Sequence, residues 1–173
     1  WPQKQETTVS RYVLAQLNIA LLSAPIDSPE LADFVDNLDR INALAETSPG
    51  FVWRLQTDGG NATDIRPLGD EYIVNLTIWK DVDSLYNYVY KSAHVEIMKR
   101  RREWFERMRE AYMVLWWVPE GHRPTIEEAM ARLQILRKEG PSVEAFTFKK
   151  PYPAPDRSGR GLLGPFTDTC TAT

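Results

Sequence analysis

Cysteine is all but missing from this chain: Cys170 is the only one, and it lies in a polar C-terminal stretch. That excludes an internal disulfide framework and a cysteine-built metal centre, and a reducing compartment is the simplest expectation. Histidine is scarce too, with only His94 and His122, too few for a site of several imidazoles. No apolar run approaches the roughly 18 residues that a membrane-crossing helix needs. Trp1 to Ser10 is polar and carries no signal-peptide core. Charge of one sign is lacking as well, since 21 Lys and Arg stand against 24 Asp and Glu for a net −3. No basic field for a phosphate backbone results. Nucleophile elbow, phosphate loop, dinucleotide fingerprint and HExxH are all missing, so hydrolase, kinase, dehydrogenase and zinc-protease chemistry has no local support. The expectation is a soluble, cytoplasmic protein with neither nucleic acid nor membrane as partner.

What is present is ample for one core: 173 residues, 43% of them hydrophobic and 26% charged, as in an ordinary globular domain. Arg11 to Ile19 alternates as a two-faced strand. Ser28 and Pro29 open a helix whose apolar face runs from Leu31 to Ala45 and stops at Pro49-Gly50. Phe51 to Gln56 predicts a short strand, and Tyr72 to Trp79, rich in β-branched and aromatic residues, predicts another. A helical region follows from about Ser84 to Arg109, with a change of apolar phase that predicts a kink near Ser92. Ala111 to Val118 predicts a fourth strand. Thr125 and Glu128 have capping-box spacing for a further helix that Gly140-Pro141 terminates. Ala145 to Phe148 suggests an edge strand.

The order β-α-β-β-α-β predicts an α+β fold: a ferredoxin-like sandwich with a four-stranded antiparallel sheet and both helices on one face. The expected divisions are a flexible N-terminus over 1–10, the domain over 11–150, and an extended or disordered tail over 151–173. The second sheet face needs a cover. Trp116 and Trp117 are adjacent in a strand and so point to opposite faces, which suggests sheet-to-sheet pairing in a homodimer.

Candidate chemistry gathers on the second helical region. On a continuous helix His94, Ile97, Met98, Arg101, Trp104, Phe105 and Met108 share an arc of about 120°, with His94 and Arg101 about 10.5 Å apart. A guanidinium on an apolar stripe needs a carboxylate, a carbonyl or a ligand anion, so Arg101 is either a substrate anchor or paired with Asp70 or Glu71. His94, in the first turn of a restarted helix, is expected to be neutral near pH 7 and able to accept a proton. The alternative is a core histidine bonded to a backbone carbonyl. His122, in a Gly-Pro turn, reads as structural. The charged run is expected to make the pairs Glu96–Arg100 and Glu103–Arg107. Asn75, Thr77 and Trp79 share one face of their strand as a polar wall that Gln16 and Asn18 can join.

The run Asn75-Leu76-Thr77-Ile78-Trp79, continuing through Leu85 to Ser92-Ala93-His94, resembles the strand-to-helix segment of antibiotic-biosynthesis monooxygenases. His94, the segment from Arg100 to Phe105, the segment from Leu115 to Pro124, and Gly140-Pro141 resemble more closely an uncharacterised, mostly bacterial family of the dimeric α+β barrel superfamily. The resemblance spans about Tyr12 to Pro155. It implies a dimeric barrel and an enzyme that uses no metal or flavin, whose substrate carbanion reacts directly with dioxygen. Asn75, Trp79 and Arg101 match pocket residues in order and approximate spacing.

The resulting expectation is a cofactor-independent, monooxygenase-like protein acting on a small aromatic or polyketide-like molecule. His94, Arg101 and Asn75 are its catalytic candidates, and Trp79, Thr77, Met98, Trp104, Phe105 and Trp116 its substrate-binding ones. Relatives of this architecture also include haem enzymes and non-catalytic proteins, so haem on His94 or simple ligand binding are the alternatives. The extra helix and tail depart from the small monooxygenase pattern.

Overall fold

In the computed structural model, residues 11–57, 60, 63 and 65–155 are described. The N-terminal stretch 1–10 and the tail beyond 155 lie outside the described residues. Four strands, β1 (Tyr12–Leu21), β2 (Phe51–Arg54), β3 (Tyr72–Trp79) and β4 (Met113–Pro119), form one antiparallel sheet in the order β2-β3-β1-β4. Phe146 adds a bridge to Leu115 at the β4 edge, with both backbone hydrogen bonds at 2.8 Å. The expected edge strand is reduced to that contact.

A 3-10 turn, Pro29–Leu31, leads into α1 (Ala32–Thr47). The expected Ser28 cap is not formed, because its hydroxyl donates to the Pro25 carbonyl instead. Helix α2 (Val82–Lys91) is capped by Asp81, which accepts the Ser84 N–H at 2.8 Å. The chain breaks at Ser92 as the phase change predicts, and α3 (His94–Lys99) follows. A second break comes at Arg100 (φ −92°, ψ 2°), before α4 (Arg101–Trp104). The helical region ends well before Arg109 because Phe105 turns extended and bridges Leu22, while the Glu106 N–H reaches the Leu21 carbonyl at 2.8 Å. His94 and Arg101 therefore stand on different short helices, and the uninterrupted spacing of about 10.5 Å does not apply.

Helix α5 (Ile126–Glu139) begins as its sequence predicts, with the Thr125 hydroxyl accepting the Glu128 N–H at 3.1 Å. The Glu128 carboxylate bonds His122 at 3.0 and 3.2 Å. His122 is thus tied to the start of the helix. Gly140, at φ 76°, ends it in the left-handed region that favours glycine.

Strand alternation divides the core by face. Val13, Ala15, Leu17 and Ile19 of β1, with Leu76 and Ile78 of β3 and Val114, Trp116 and Val118 of β4, pack under Ala129, Leu133 and Leu136 of α5. This settles what covers the second face: α5 of the same chain buries Trp116 completely, so its burial needs no partner. The other face carries Leu14, Trp79 and Leu115 against Ala45 of α1, Val82 and Leu85 of α2, and Phe146 and Phe148. Trp117 lies on that side and donates its indole N–H to the Tyr152 carbonyl at 2.8 Å. Tyr152 also bonds the Pro141 carbonyl at 3.2 Å, and Ala154 is buried. The first residues of the expected tail are thus part of the packed domain. Among the described residues, no helix is long and apolar enough to cross a membrane.

Candidate functional site

The sheet face beneath α1 and α2 is laid out in rows by strand register. Trp79 and Leu14 are cross-strand partners at one end, and the next row on that face sets Arg54, Thr77, Gln16 and Leu115 side by side. The row after it carries Asn75, Asn18 and Met113. Facing neighbours of this kind lie within side-chain reach. The first row is apolar and sealed, the second polar and buried, the third polar and open. Thr77 is buried whereas Asn75, two residues away on an internal strand, is exposed. The helical layer therefore leaves the sheet uncovered there.

The loose helical layer explains that opening. Of the sixteen residues of α1 only Ala45 is buried, and α3 buries none. Phe34, Leu38 and Ile41 on the apolar face of α1 remain half-buried. A separate apolar cluster of Leu22, Leu31 and Trp104, with Phe34 and Phe105 packed on it, closes the far end.

A hydrogen-bonded chain within the sheet continues as ring contacts to α3. The Trp79 indole N–H donates to Thr77 Oγ1 at 2.9 Å, and the Thr77 hydroxyl donates to Gln16 Oε1 at 2.7 Å. Tyr88 of α2 stacks on Trp79 at 5.0 Å between centroids, and His94 packs on Tyr88 at 4.8 Å. Tyr88 donates its hydroxyl to the Ile41 carbonyl at 3.3 Å, and burial pushes its pKa up, so it stays a neutral phenol. His94 Nδ1 lies 3.2 Å from the Val89 carbonyl oxygen. A carbonyl only accepts, so Nδ1 carries the proton and the neutral ring has its lone pair at Nε2. Burial lowers the His94 pKa, and the Val89 bond partly opposes that. Desolvation thus accounts for the shift expected from a helix terminus. His94 combines both expected characters, a ring anchored on a backbone carbonyl and a neutral imidazole.

Arg101 is half-buried, and its side chain makes no hydrogen bond or ion pair among the described residues, so the pairing with Asp70 or Glu71 is not formed. Its neighbour Arg100 takes the carboxylates: Asp33 and Glu103 each lie 2.8 Å away, and the guanidinium sits 4.6 Å from the Trp104 ring centroid. Glu96 pairs with Lys99 at 3.5 Å. The expected Glu96–Arg100 partnership is replaced because the break at Arg100 changes the helical phase.

The structure thus sets Asn75, Thr77 and Trp79 in three successive rows of one sheet face, with Asn75 at its open end, and His94 meets Trp79 through the Tyr88 ring. Met98 is half-buried on α3. Trp104 and Phe105 belong to the far cluster with Leu22, and Trp116 is on the opposite face under α5. It cannot join Thr77 and Trp79. The strongest omission from the expected site is Arg54, whose side chain is 11% exposed and bonds Glu46 of α1 at 2.7 Å and the Gly60 carbonyl at 2.7 Å. Only register reveals it, because it neighbours Thr77 across strands. Tyr88 escapes sequence reasoning as well, since helical periodicity marks it only as apolar.

Residues 13–161 match the family model described as "Domain of unknown function (DUF3291)". The chain belongs to the DUF3291 family. Among solved structures it is similar to SnoaB, a cofactor-independent oxygenase from Streptomyces nogalater. A mutant form of SnoaB is 17% identical, with 68% of this chain and 98% of that one covered and a TM-score of 0.38. A second SnoaB structure is 18% identical at the same coverage, with a TM-score of 0.37. NE2512, a protein of unknown function from Nitrosomonas europaea, is 12% identical over 67% of this chain and 96% of that one, at a TM-score of 0.42. No curated protein matches. TM-scores below 0.5 are too low to carry an activity from one chain to another.

Proposed function

We propose that this DUF3291 chain is a small-molecule enzyme of the cofactor-independent monooxygenase type, acting on an aromatic or polyketide-like carbon acid. The observation that carries the proposal is the state of His94: Nδ1–H held by Val89, Nε2 left as the acceptor, and a pKa lowered by burial. That is the form of imidazole a general base requires at neutral pH. His94 removes a C–H or O–H proton and leaves an enolate, whose oxyanion Arg101 and Asn75 stabilise. Dioxygen is the co-substrate. The enolate carbon passes it two electrons and forms a C–O bond, giving a hydroperoxide once protonated. Loss of the second C–H proton then breaks the O–O bond, so one oxygen atom remains as the new carbonyl and the other leaves as water. Trp79 and Thr77 hold the aromatic wall in place.

The strand order β2-β3-β1-β4 supports a ferredoxin-like protomer, and a homodimer belongs to the proposal through the family resemblance. Haem is the cofactor alternative. An imidazole oriented by a carbonyl through its other nitrogen is a suitable axial ligand, and His94 fits that description. A Soret band after expression with haem supply, abolished in His94→Ala, would replace base by ligand.

The test begins with mass spectrometry of small molecules that co-purify with the protein, followed by oxygen uptake with aromatic carbon acids of increasing ring number. Uptake that falls about 10²- to 10⁴-fold in His94→Ala supports a general base. Equal uptake by the parent and His94→Ala would reject it.

A further inference from the structure

The bonded chain Trp79–Thr77–Gln16 has a direction. An indole N–H only donates, so Thr77 Oγ1 accepts from Trp79 and sends its own proton to Gln16 Oε1. The carboxamide oxygen of Gln16 is thereby engaged and its amide group turned away from Thr77. Gln16 is only 5% exposed, yet its two N–H donors meet no acceptor among the described residues. They are not sealed either: Trp116 Nε1 is the one buried, unpartnered side-chain nitrogen or oxygen among those residues. The Gln16 amide therefore opens onto space that water can enter. Water takes up those N–H bonds in the free protein, and an acceptor oxygen on a ligand can displace it there.

We infer that Gln16 is a specificity-determining residue of this site, presenting a fixed pair of N–H donors to a carbonyl or phenolate oxygen of the bound molecule. This rests on the small-molecule reading above and adds the ligand's chemistry to it. Because Oε1 is turned toward Thr77, the part of Gln16 left facing a ligand is its N–H pair, which suits an acceptor better than a hydroxyl or amine donor. Donation along the chain strengthens each successive donor, so the indole N–H of Trp79 polarises the amide two groups away. Asn75 and Asn18, one row further on, are free to serve the rest of an oxygenated ring system.

The experiment compares 2-acetylnaphthalene with 2-isopropenylnaphthalene, which have nearly the same shape but present C=O in one and C=CH2 in the other. Titration calorimetry on the full chain should show the ketone bound roughly threefold to tenfold tighter, the range of one hydrogen bond. In Gln16→Leu the preference should vanish while affinity for the hydrocarbon is retained. The infrared carbonyl stretch of the bound ketone should move to lower frequency with the parent and not with the variant. Where Gln16→Leu fails to melt cooperatively, Gln16→Met, close to Gln in length and volume, lacks the donors and reads the same loss. No preference in the parent, or one that survives in the variant that folds, would overturn the inference and leave the small-molecule reading standing. Failure of the parent to bind either probe would overturn both.

Discussion

Tyr88 and His94 are packed ring against ring at 4.8 Å, and the backbone of the residue after Tyr88, Val89, holds the histidine Nδ1 at 3.2 Å. The last turn of α2 thus sets both the orientation and the tautomer of the proposed base. Burial lowers the pKa of that imidazole and so favours its neutral form.

The His94 pKa lies below its ordinary value of 6.5 in the folded protein. In the interval between the two values the unfolded state binds more protons than the folded state, so stability rises with pH there. The contribution is intact above about 6.5 and is lost as the pH falls through that value toward the lower folded one. Melting temperature should therefore drop on acidification below about pH 6.5, and less so in His94→Gln. An equal drop in both proteins would show that His94 does not carry the effect.

Thr77 is the centre of the bonded chain, so Thr77→Val leaves the Trp79 indole N–H without its acceptor. The expected loss is about 1–3 kcal/mol in a denaturant titration, with Thr77→Ser restoring most of it. A neutral Thr77→Val would contradict the network.

Gly50 stands at φ +84°, and a Cβ there would lie 2.1 Å from Ser84 Oγ and 2.4 Å from Ser84 Cβ. Both the backbone and the close approach of the turn to α2 demand glycine. Gly50→Ala should destabilise by about 2 kcal/mol or more. The same variant should disturb Tyr88, four residues beyond Ser84 on α2, visible as altered aromatic circular dichroism.

Much of the framework is legible in the sequence. The β-branched and aromatic run Tyr72–Trp79 has the bounds of β3, and Thr125 with Gly140 brackets α5. These signals are local, and local chemistry decides them. The break at Arg100 is not legible, because the contacts beside it are long-range: Arg100 meets Asp33 on α1, 67 residues away, and Phe105 bridges Leu22. Alternation alone assigns Trp116 a face opposite Trp117, but not the identity of its cover, which depends on where α5 folds back. Period-two spacing finds Asn75, Thr77 and Trp79. Arg54 and the unpartnered Gln16 amide need the register between strands.

If α5 is the cover of the second face, Leu133→Ala should cost about 2–5 kcal/mol, as for a large side chain removed from a sealed core. The tryptophan emission of this variant should shift to the red as water reaches Trp116. Loss of stability without any spectral change would place α5 elsewhere.

The central claim is that His94 is a neutral base with Nε2 free, and nitrogen NMR of the imidazole reports it most directly. With two histidines in the chain, His94→Gln assigns the signals. The account predicts Nδ1 protonated and Nε2 unprotonated at about pH 7, a midpoint below the ordinary value of 6.5, and an Nε2 shift that moves when an aromatic carbon acid is added. A proton resident on Nε2, or an imidazolium at neutral pH, would contradict it.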